Sequence, residues 1–235
     1  MSIIKIPYEK ISNCRICYHK KLSLILNLSS QPPANSLQDS NLKKLLKIPL
    51  KLLICDNCKT VQLSVTVDPK YLFENYVWVT GTSKGARDYS KIFFKNSLKH
   101  FKNKKLFVVE IASNDGTFLK PFIKNNHKVL GIDPAKNIVD IANENKIPSI
   151  AKFFDNKISK HIIKKHGKAD FIFCRNVIAH VKNIHSIIQG IHNLLDDNGI
   201  AALEPHYSNV ILKDLQYDSI YHEHLFYFSV QTLSF

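Results

Sequence analysis

Four of the five cysteines in this sequence form two closely spaced pairs, Cys14-x-x-Cys17 and Cys55-x-x-Cys58. Each pair can place two thiolates on one metal ion, and two pairs complete the tetrahedral set of a structural zinc site. Two disulfides are the alternative, but they are rare in the cytoplasm, where thiols are kept reduced. The spacing therefore predicts one structural zinc ion with no open coordination position.

A second group of reactive side chains lies near the end of the sequence, where Tyr221, His222, Glu223 and His224 are consecutive. A histidine oriented by a neighbouring acid or phenol can serve as a general base near neutral pH. His222 and His224 are two positions apart, so they would share one face of an extended segment. The pattern is not H-E-x-x-H and does not support a zinc-protease site. The alternative is a solvated polar loop without a chemical role.

The elements that must position such groups are clearest between residues 106 and 134. An apolar run at 106–111 leads into a turn at 112–116, an amphipathic segment, and a second apolar run that stops at Asp133. This order predicts strand, turn, helix and parallel strand, with a nucleotide-type pocket at the carboxyl ends of the strands. Gly116 would let the backbone approach a ligand, and Asp133 would accept hydrogen bonds from ribose hydroxyls.

The chemistry of this predicted pocket follows from what its turn lacks. The turn has no complete G-x-G-x-x-G, so it offers no cradle for a pyrophosphate. Adenosine without a diphosphate, as in S-adenosylmethionine, is therefore favoured over NAD. The alternative is a βαβ unit that binds no ligand.

Strands and helices continue to alternate through the second half of the chain. The patterns predict helices near 137–145 and 184–195, strands at 150–154, 170–174 and 200–203, and a turn at Asp197-Asn198-Gly199. Asp155 follows one of these strands and could approach an adenine, and Cys174 lies in an apolar run typical of a core. The alternation indicates an α/β domain with a parallel sheet covered on both faces.

Three regions are predicted along the chain. They are a zinc-binding module at 1–67, an aromatic linker and helix at 68–100, and the α/β domain at 101–235. The linker is rich in aromatic and hydroxyl side chains, among them Tyr76 and Trp78. Such a loop either lines a pocket or packs two modules together, and the composition does not decide between the two.

Composition limits the classes of partner. The chain has 235 residues, of which 45% are apolar, without the run of about 18 apolar residues that a membrane span needs. Residues 1–5 show no signal-peptide pattern, so we expect a cytoplasmic protein without a membrane partner. The net charge is +14, yet the chain has only three arginines. Because reading of nucleic-acid bases depends largely on arginine, we expect a small anionic substrate, such as a nucleotide sugar, rather than nucleic acid.

Taken together, these motifs resemble one family, the zinc-containing sugar C-methyltransferases. Its members use S-adenosylmethionine to methylate C3 of thymidine-diphosphate-linked 4-keto-deoxysugars. The matching motifs follow one another in the family's order: Cys14-x-x-Cys17, Gln31-Pro32-Pro33-Ala34-Asn35, Cys55-x-x-Cys58, Tyr76-x-Trp78, Gly81-x-Ser83, residues 109–116, Asn176-x-x-Ala179-His180, Glu204-Pro205 and residues 218–224. Each motif is weak alone, but their joint order and spacing are specific.

The resemblance implies a class I, Rossmann-like methyltransferase domain preceded by the small zinc-binding module. It implies that the cofactor is held by Glu110, Ser113, Asn114, Asp115 and Asp133, with Asn176 and His180 at the junction of cofactor and substrate. It implies that the sugar is surrounded by Tyr76, Tyr221, Glu223 and His224, and that the four paired cysteines bind zinc. His224 would be the general base, with Tyr221 assisting it.

The resemblance also implies a longer protein. Family members continue far beyond the histidine-rich segment into a second α/β domain, whereas this sequence stops at Phe235. The alternatives are a truncated gene product, one half of a split protein whose other chain supplies the second domain, and a fragment of a longer sequence, so the resemblance does not imply activity for this chain alone. Two other hypotheses remain open: a methyltransferase that acts on another small-molecule acceptor, and a zinc-ribbon protein that binds nucleic acid.

Overall fold

The structure, a computed structural model, describes residues 8–35, 47–102 and 104–235. The predictions for residues 1–5 and for Ser36 lie outside the described residues. The strands are β1 (Tyr8–Lys10), β2 (Leu22–Gln31), β3 (Ile48–Cys55), β4 (Val61–Leu63), β5 (Val65–Val67), β6 (Phe107–Ile111), β7 (Lys128–Asp133), β8 (Ser149–Ala151), β9 (Ala169–Arg175), β10 (Leu195–Glu204) and β11 (Phe226–Tyr227). The α-helices are α1 (Pro69–Phe73), α2 (Lys84–Leu98), α3 (Lys120–Lys124), α4 (Lys136–Glu144), α5 (Asn156–His166), α6 (Ile184–Leu194), α7 (Ser208–Lys213) and α8 (Val230–Leu233).

The described residues divide into two units, neither of which is continuous in sequence. The cysteine unit comprises residues 8–35, 47–72, 176–184 and 205–235. The sheet unit comprises residues 73–102, 104–175 and 185–204. The division at 1–67, 68–100 and 101–235 follows the sequence order alone and stays a prediction.

The cysteine unit is built on antiparallel strands. Its larger sheet has the order β11-β4-β3-β2, and β1 pairs with β5 in a separate two-stranded ribbon. Alternate residues of β3, including Ile48, Leu50 and Leu52, are buried, as expected for a strand with one covered face. The last strand in sequence, β11, pairs with β4, so Phe226 lies opposite Gln62.

The sheet unit contains a five-stranded sheet in the order β10-β9-β6-β7-β8. All of its pairings are parallel. All five residues of β6 are buried, which explains its continuous apolar run, because a central parallel strand is covered on both faces. The parallel α/β architecture predicted from the sequence is therefore confirmed.

An aromatic core holds helices α2 and α3 against the central strands. Phe118, Phe122, Phe171 and Phe173 are buried together, and Phe93 from α2 packs against this cluster. The ring centroids of Phe93 and Phe173 lie 4.9 Å apart, within the range of favourable aromatic pairs. This packing fixes the turn between β6 and α3, which carries several of the predicted site residues.

Most predicted elements are present, with shifts at their ends. Helix α4, helix α6 and strand β9 agree with their predicted ranges to within one or two residues, and Cys174 is buried as expected. The turn predicted at Asp197–Gly199 is wrong, since these residues lie within β10. There they form an irregularity, because Leu195 pairs with Ala169 and pairing resumes only at Ile200. Across the described ranges, no helix combines the length and apolarity needed to cross a membrane.

Candidate functional site

The four paired cysteines converge in the cysteine unit. Their sulfur atoms all lie within 4.8 Å of one another. The closest approaches are 3.6 Å between Cys14 and Cys58 and 3.5 Å between Cys17 and Cys55. Four thiolates around one zinc ion at about 2.3 Å would stand roughly 3.8 Å apart, so the cluster fits a tetrahedral zinc ion closely. All four are free cysteines, so the alternative of two disulfides is not borne out.

Hydrogen-bond donors surround these sulfurs. The backbone N–H of Ile16 and the side-chain amide of Gln62 donate to Cys14 at 3.4 and 3.2 Å. Burial raises the pKa of Cys17, but hydrogen bonds led by the His19 backbone outweigh this effect and bring the pKa to about 6. At Cys17 the donors therefore favour the thiolate, the form that binds a metal. At Cys58 burial outweighs the hydrogen bonds from Thr60 and raises the pKa to about 12.

Three buried acids lie at the carboxyl ends of the neighbouring strands β6 and β7 in the sheet unit. They are Glu110, Asp115 and Asp133, which are each less than a tenth exposed. Burial raises the pKa of Glu110 well above its usual range, an effect opposed by Arg175 and reinforced by the other two acids. Among the described residues, Glu110 Oε2 has no hydrogen-bond partner. A buried carboxylate oxygen without a partner, beside two further acids, suits a cationic ligand.

Asp133 closes this group at the tip of β7. Its two carboxylate oxygens accept the backbone N–H groups of Asn114 and Ala135, each at 2.9 Å. A carboxylate can accept about four hydrogen bonds, so both oxygens keep capacity for ligand hydroxyls. The geometry agrees with the predicted role in binding a ribose, which stays a prediction.

The turn after β6 has an unusual backbone. Ala112, Asn114 and Gly116 all adopt positive φ angles, at 53°, 50° and 73°. Left-handed residues other than glycine cost energy and concentrate at functional sites. At Gly116 a Cβ would lie 2.6 Å from the side chain of Ile147, so internal packing also requires glycine here, and the predicted approach of a ligand stays a prediction. Ser113 is buried nearby, and its hydroxyl has no partner within the described part of the chain.

The predicted site residue Asn114 positions the aromatic segment. Its side-chain amide donates to the carbonyl of Trp78 at 3.0 Å and accepts the N–H of Thr80 at 2.8 Å. Asn137 of α4 similarly donates to the carbonyl of Tyr76 at 2.9 Å. The segment that carries Tyr76 is therefore tied to the turns that follow β6 and β7. The sequence reasoning missed Asn137, although an amide four residues after Asp133, in the first turn of the following helix, is a signal that could have suggested it.

An ion pair lies at the carboxyl ends of β9 and β10. Arg175 contacts Glu204 through Nε at 3.1 Å and Nη2 at 3.2 Å, in a two-pronged arrangement. The guanidinium also lies 3.6 Å from the ring centre of Phe118, a favourable cation–π contact. These contacts order two strand ends on the same edge of the sheet as the acids.

In the cysteine unit, aromatic side chains from three separate segments meet around His224. The centroid of its ring lies 4.8 Å from that of His180, 4.4 Å from that of His206 and 4.2 Å from that of Tyr221. The histidine-rich segment is buried, with His224 only 4% exposed, so the solvated-loop alternative is wrong. His206 was missed by the sequence reasoning, although a histidine directly after Glu204-Pro205 follows a strand end.

The His224 imidazole is held in one orientation. Its Nδ1 lies 2.7 Å from the carbonyl oxygen of Ser219, which can only accept a hydrogen bond. The proton therefore resides on Nδ1, and Nε2 carries the lone pair. Burial lowers the pKa of His224 to about 4, with a smaller effect from His206. At physiological pH the ring is neutral, and Nε2 can accept a proton.

The other members of the segment point elsewhere. His222 Nε2 lies 3.1 Å from the carbonyl oxygen of Ile48, so His222 and His224 do not share one face as an extended segment would require. The reason is that the chain turns here, with the N–H of His224 donating to the carbonyl of Tyr221. Glu223 accepts a 2.7 Å hydrogen bond from Asn35, while its Oε2 has no partner among the described residues.

The predicted site residues thus fall into two groups. The sheet unit holds Tyr76, Glu110, Ser113, Asn114, Asp115, Gly116 and Asp133. The cysteine unit holds Asn176, His180, Tyr221, Glu223 and His224. Asn176 directly follows β9 and has a left-handed φ of 53°. Asp155 caps α5, because its carboxylate accepts the N–H groups of Lys157 and Ile158, and its approach to an adenine stays a prediction.

Two parts of the chain match families of known proteins. Residues 83–234 match the family described as "Methyltransferase domain", and residues 14–73 match the family described as "Putative zinc binding domain". The chain is 29% identical over 228 residues to the C-methyltransferase NovU of Streptomyces niveus, covering 95% of this chain and 54% of NovU. The chain therefore spans about half the length of this curated relative.

Solved structures share the fold. A SAM-dependent methyltransferase from Archaeoglobus fulgidus superimposes with a TM-score of 0.52 at 15% identity, over 63% of this chain and 65% of that one. The plantazolicin methyltransferase BamL, in complex with a triazolic desmethylPZN analog and SAH, gives a TM-score of 0.52 at 16% identity, over 64% and 60%. Together with the family matches, these similarities confirm the predicted Rossmann-like methyltransferase fold and the zinc-binding module.

Proposed function

The chain belongs to the methyltransferase family, and we propose that it is an S-adenosylmethionine-dependent C-methyltransferase. The proposed acceptor is C3 of a nucleotide-linked 4-keto-deoxysugar, and the methyl group is transferred after a base removes the proton from that carbon. Support comes from similarity to a C-methyltransferase and from the motifs shared with the sugar C-methyltransferases. The observation that carries the proposal is the buried imidazole cluster around His224.

The cofactor fits the acids of the sheet unit. When bound, S-adenosylmethionine supplies a methyl group made electrophilic by a sulfonium. Glu110, with a partnerless Oε2 in the described structure, suits a cationic group of this ligand. Asp133 retains acceptor capacity for ribose hydroxyls. Glu110 therefore offers a contact for a cationic group, and Asp133 offers acceptors for hydroxyl groups.

The imidazole cluster fits proton removal beside a ketone. Such a C–H bond is acidic only because the enolate spreads charge onto oxygen, so a base and a nearby donor are both needed. His224 supplies the base through Nε2, because its Nδ1 proton is committed to Ser219. The hydroxyl of Tyr221, whose ring lies against His224, is the proposed donor to the ketone oxygen, with His180 beside them.

The substrate class is consistent with charge. A nucleotide diphosphate is anionic, and the chain carries a net charge of +14, which favours encounter with anions. Glu223 contributes a buried carboxylate oxygen without a partner in the described chain, which suits a sugar hydroxyl. Zinc takes no part in the proposed chemistry, since four cysteines fill its coordination sphere.

Hydrogen–deuterium exchange at C3 tests the proposal. The protein is incubated in D₂O with a thymidine-diphosphate-linked 4-keto-deoxysugar, without S-adenosylmethionine, and loss of the C3 proton is followed by NMR. We expect His224→Asn to slow the protein-dependent exchange by roughly 100-fold or more, the usual contribution of a general base. The exposed His100→Asn should behave like the wild type.

Two outcomes would contradict the proposal. Exchange that is unchanged in His224→Asn would exclude His224 as the base. Absence of exchange in the wild type, combined with methyl transfer to another acceptor, would favour the alternative of a methyltransferase with a different small-molecule substrate.

A further inference from the structure

Arg15 lies between Cys14 and Cys17 in the sequence, and its guanidinium contacts strands β4 and β5. Arg15 Nη1 donates to the carbonyl of Leu63 at 2.6 Å, and Nη2 donates to Val65 and Thr66 at 2.9 and 2.8 Å. One side chain therefore contacts the last residue of β4 and the first two residues of β5. The two carbonyl contacts compensate the guanidinium charge for part of the water it loses on packing here.

Gln62 joins this arginine to the cysteine sulfurs. Its Nε2 donates to Cys14 Sγ at 3.2 Å, while its Oε1 accepts the backbone N–H of Arg15 at 3.1 Å. The side chain is completely buried. Both ends of one amide are thus committed, one to the metal-binding sulfur and the other to the cysteine-containing loop. Such partners of metal ligands commonly orient the ligands and tune metal affinity.

The strand that carries Gln62 leads directly to the proposed base. Gln62 lies opposite Phe226 in the β4–β11 pairing, and the N–H of Leu63 donates to the carbonyl of Leu225 at 3.0 Å. Leu225 follows His224 in sequence, and its own N–H donates to the carbonyl of Ala179 at 2.7 Å. Ala179 precedes His180. His224 and His180 are therefore the sequence neighbours of Leu225 and Ala179, the two residues that this hydrogen bond joins.

We infer that Gln62 and Arg15 form a positioning relay, through which the metal-bound cysteine cluster sets the geometry of the imidazole cluster. The relay passes from Cys14 through Gln62 to β4, and from β4 to the backbone beside His224. In this view the zinc ion acts at a distance, by holding a strand rather than by contacting substrate. The inference rests on the proposed role of His224, but its test requires no turnover.

The experiment compares the zinc-loaded wild type with Gln62→Met, which keeps the side-chain volume and removes both hydrogen bonds. Gln31→Met is the matched control, since Gln31 is an exposed glutamine on β2 of the same unit. Three quantities are measured: the rate of zinc release to a chromophoric chelator, amide hydrogen exchange at Leu63 and Leu225, and the ¹⁵N shifts of the His224 ring. We expect Gln62→Met to release zinc about tenfold faster, the usual effect of losing such a partner.

The proposed relay also predicts which amides lose protection from hydrogen exchange. In Gln62→Met, protection of the Leu225 amide should fall and the His224 ring signals should shift toward a mixture of tautomers, while amides between β2 and β3 stay protected. If Gln62→Met fails to fold, the same amides and ring signals are followed in the wild type while zinc is withdrawn by the chelator. The same local pattern is expected there.

The inference would be overturned by unchanged Leu225 protection and unchanged His224 signals after zinc loss. Uniform loss of protection across β2, β3 and β4 would also overturn it, since the metal would then support the unit as a whole. A local response in a protein that shows no C3 exchange would uphold the relay and reject the proposed function, so the two failures are distinguishable.

Discussion

Acidification should destabilise the cysteine unit through its buried imidazoles. The pKa of His224 is lowered from 6.5 to about 4, mainly by burial. The unfolded chain therefore binds a proton as the pH falls below about 6.5, while the folded protein resists protonation until about pH 4. Stability contributed by the neutral ring is complete above this window and is lost as the pH falls through it.

The magnitude follows from the same two values. Between pH 7.5 and pH 5, a shift of this size removes about 2 kcal/mol of unfolding free energy. The pKa of His180 is lowered in the same direction, mainly by burial, so protonation of its ring in the unfolded chain should add to the effect over the same pH range. The loss of about 2 kcal/mol from His224 alone is already a large share of the stability of an ordinary domain.

Urea unfolding of the zinc-saturated protein, followed by circular dichroism at both pH values, measures this effect. His224→Asn keeps a donor for the Ser219 carbonyl but cannot titrate, so its stability should fall by about 2 kcal/mol less than that of the wild type. His100→Asn, which changes an exposed ring, should match the wild type. Equal pH dependence of the unfolding free energy in the wild type and His224→Asn would contradict this prediction, because the His224 ring would then have the same pKa in the folded and the unfolded protein.

Three further predictions follow from individual residues. Asp133→Asn should weaken S-adenosylmethionine binding roughly tenfold or more in a calorimetric titration, since hydrogen bonds to a charged carboxylate contribute about 1.5–3 kcal/mol. The control Asp140→Asn changes an exposed acid and should bind like the wild type. Equal affinities of Asp133→Asn and the wild type would exclude Asp133 from the site. Cys58→Ser should lose bound zinc by elemental analysis while Cys174→Ser retains it, and retained zinc in Cys58→Ser would contradict the four-cysteine site. Phe122→Ala should lower the unfolding free energy by about 3–5 kcal/mol in urea, because the ring is fully buried; a change below 1 kcal/mol would show that the core is not packed as described.

Features that depend on local pattern were predictable from the sequence. The apolar runs of β6, β7 and β9 correspond to strands covered on both faces, where no polar alternation interrupts the pattern. The two C-x-x-C pairs likewise predicted the four-sulfur cluster, since tetrahedral zinc coordination requires a fixed number and kind of ligand.

Features that depend on distant partners were not predictable in this way. Residues 197–199 have strong turn propensity, but pairing of β10 with β9 on either side incorporates them into a strand. His222 turns away from His224 to reach the carbonyl of Ile48, which is far removed in sequence. His206 joins the imidazole cluster from a third segment, and no local sequence pattern predicts its contact with His224.

The central claim is that a methyl group is transferred to carbon. The most direct measurement supplies S-adenosylmethionine carrying a ¹³C-labelled methyl group together with a ¹³C-labelled 4-keto sugar nucleotide, and reads the product by NMR. Methyl transfer to C3 predicts one-bond coupling between the methyl carbon and C3 of the sugar. A labelled methyl group attached to oxygen or nitrogen would contradict it.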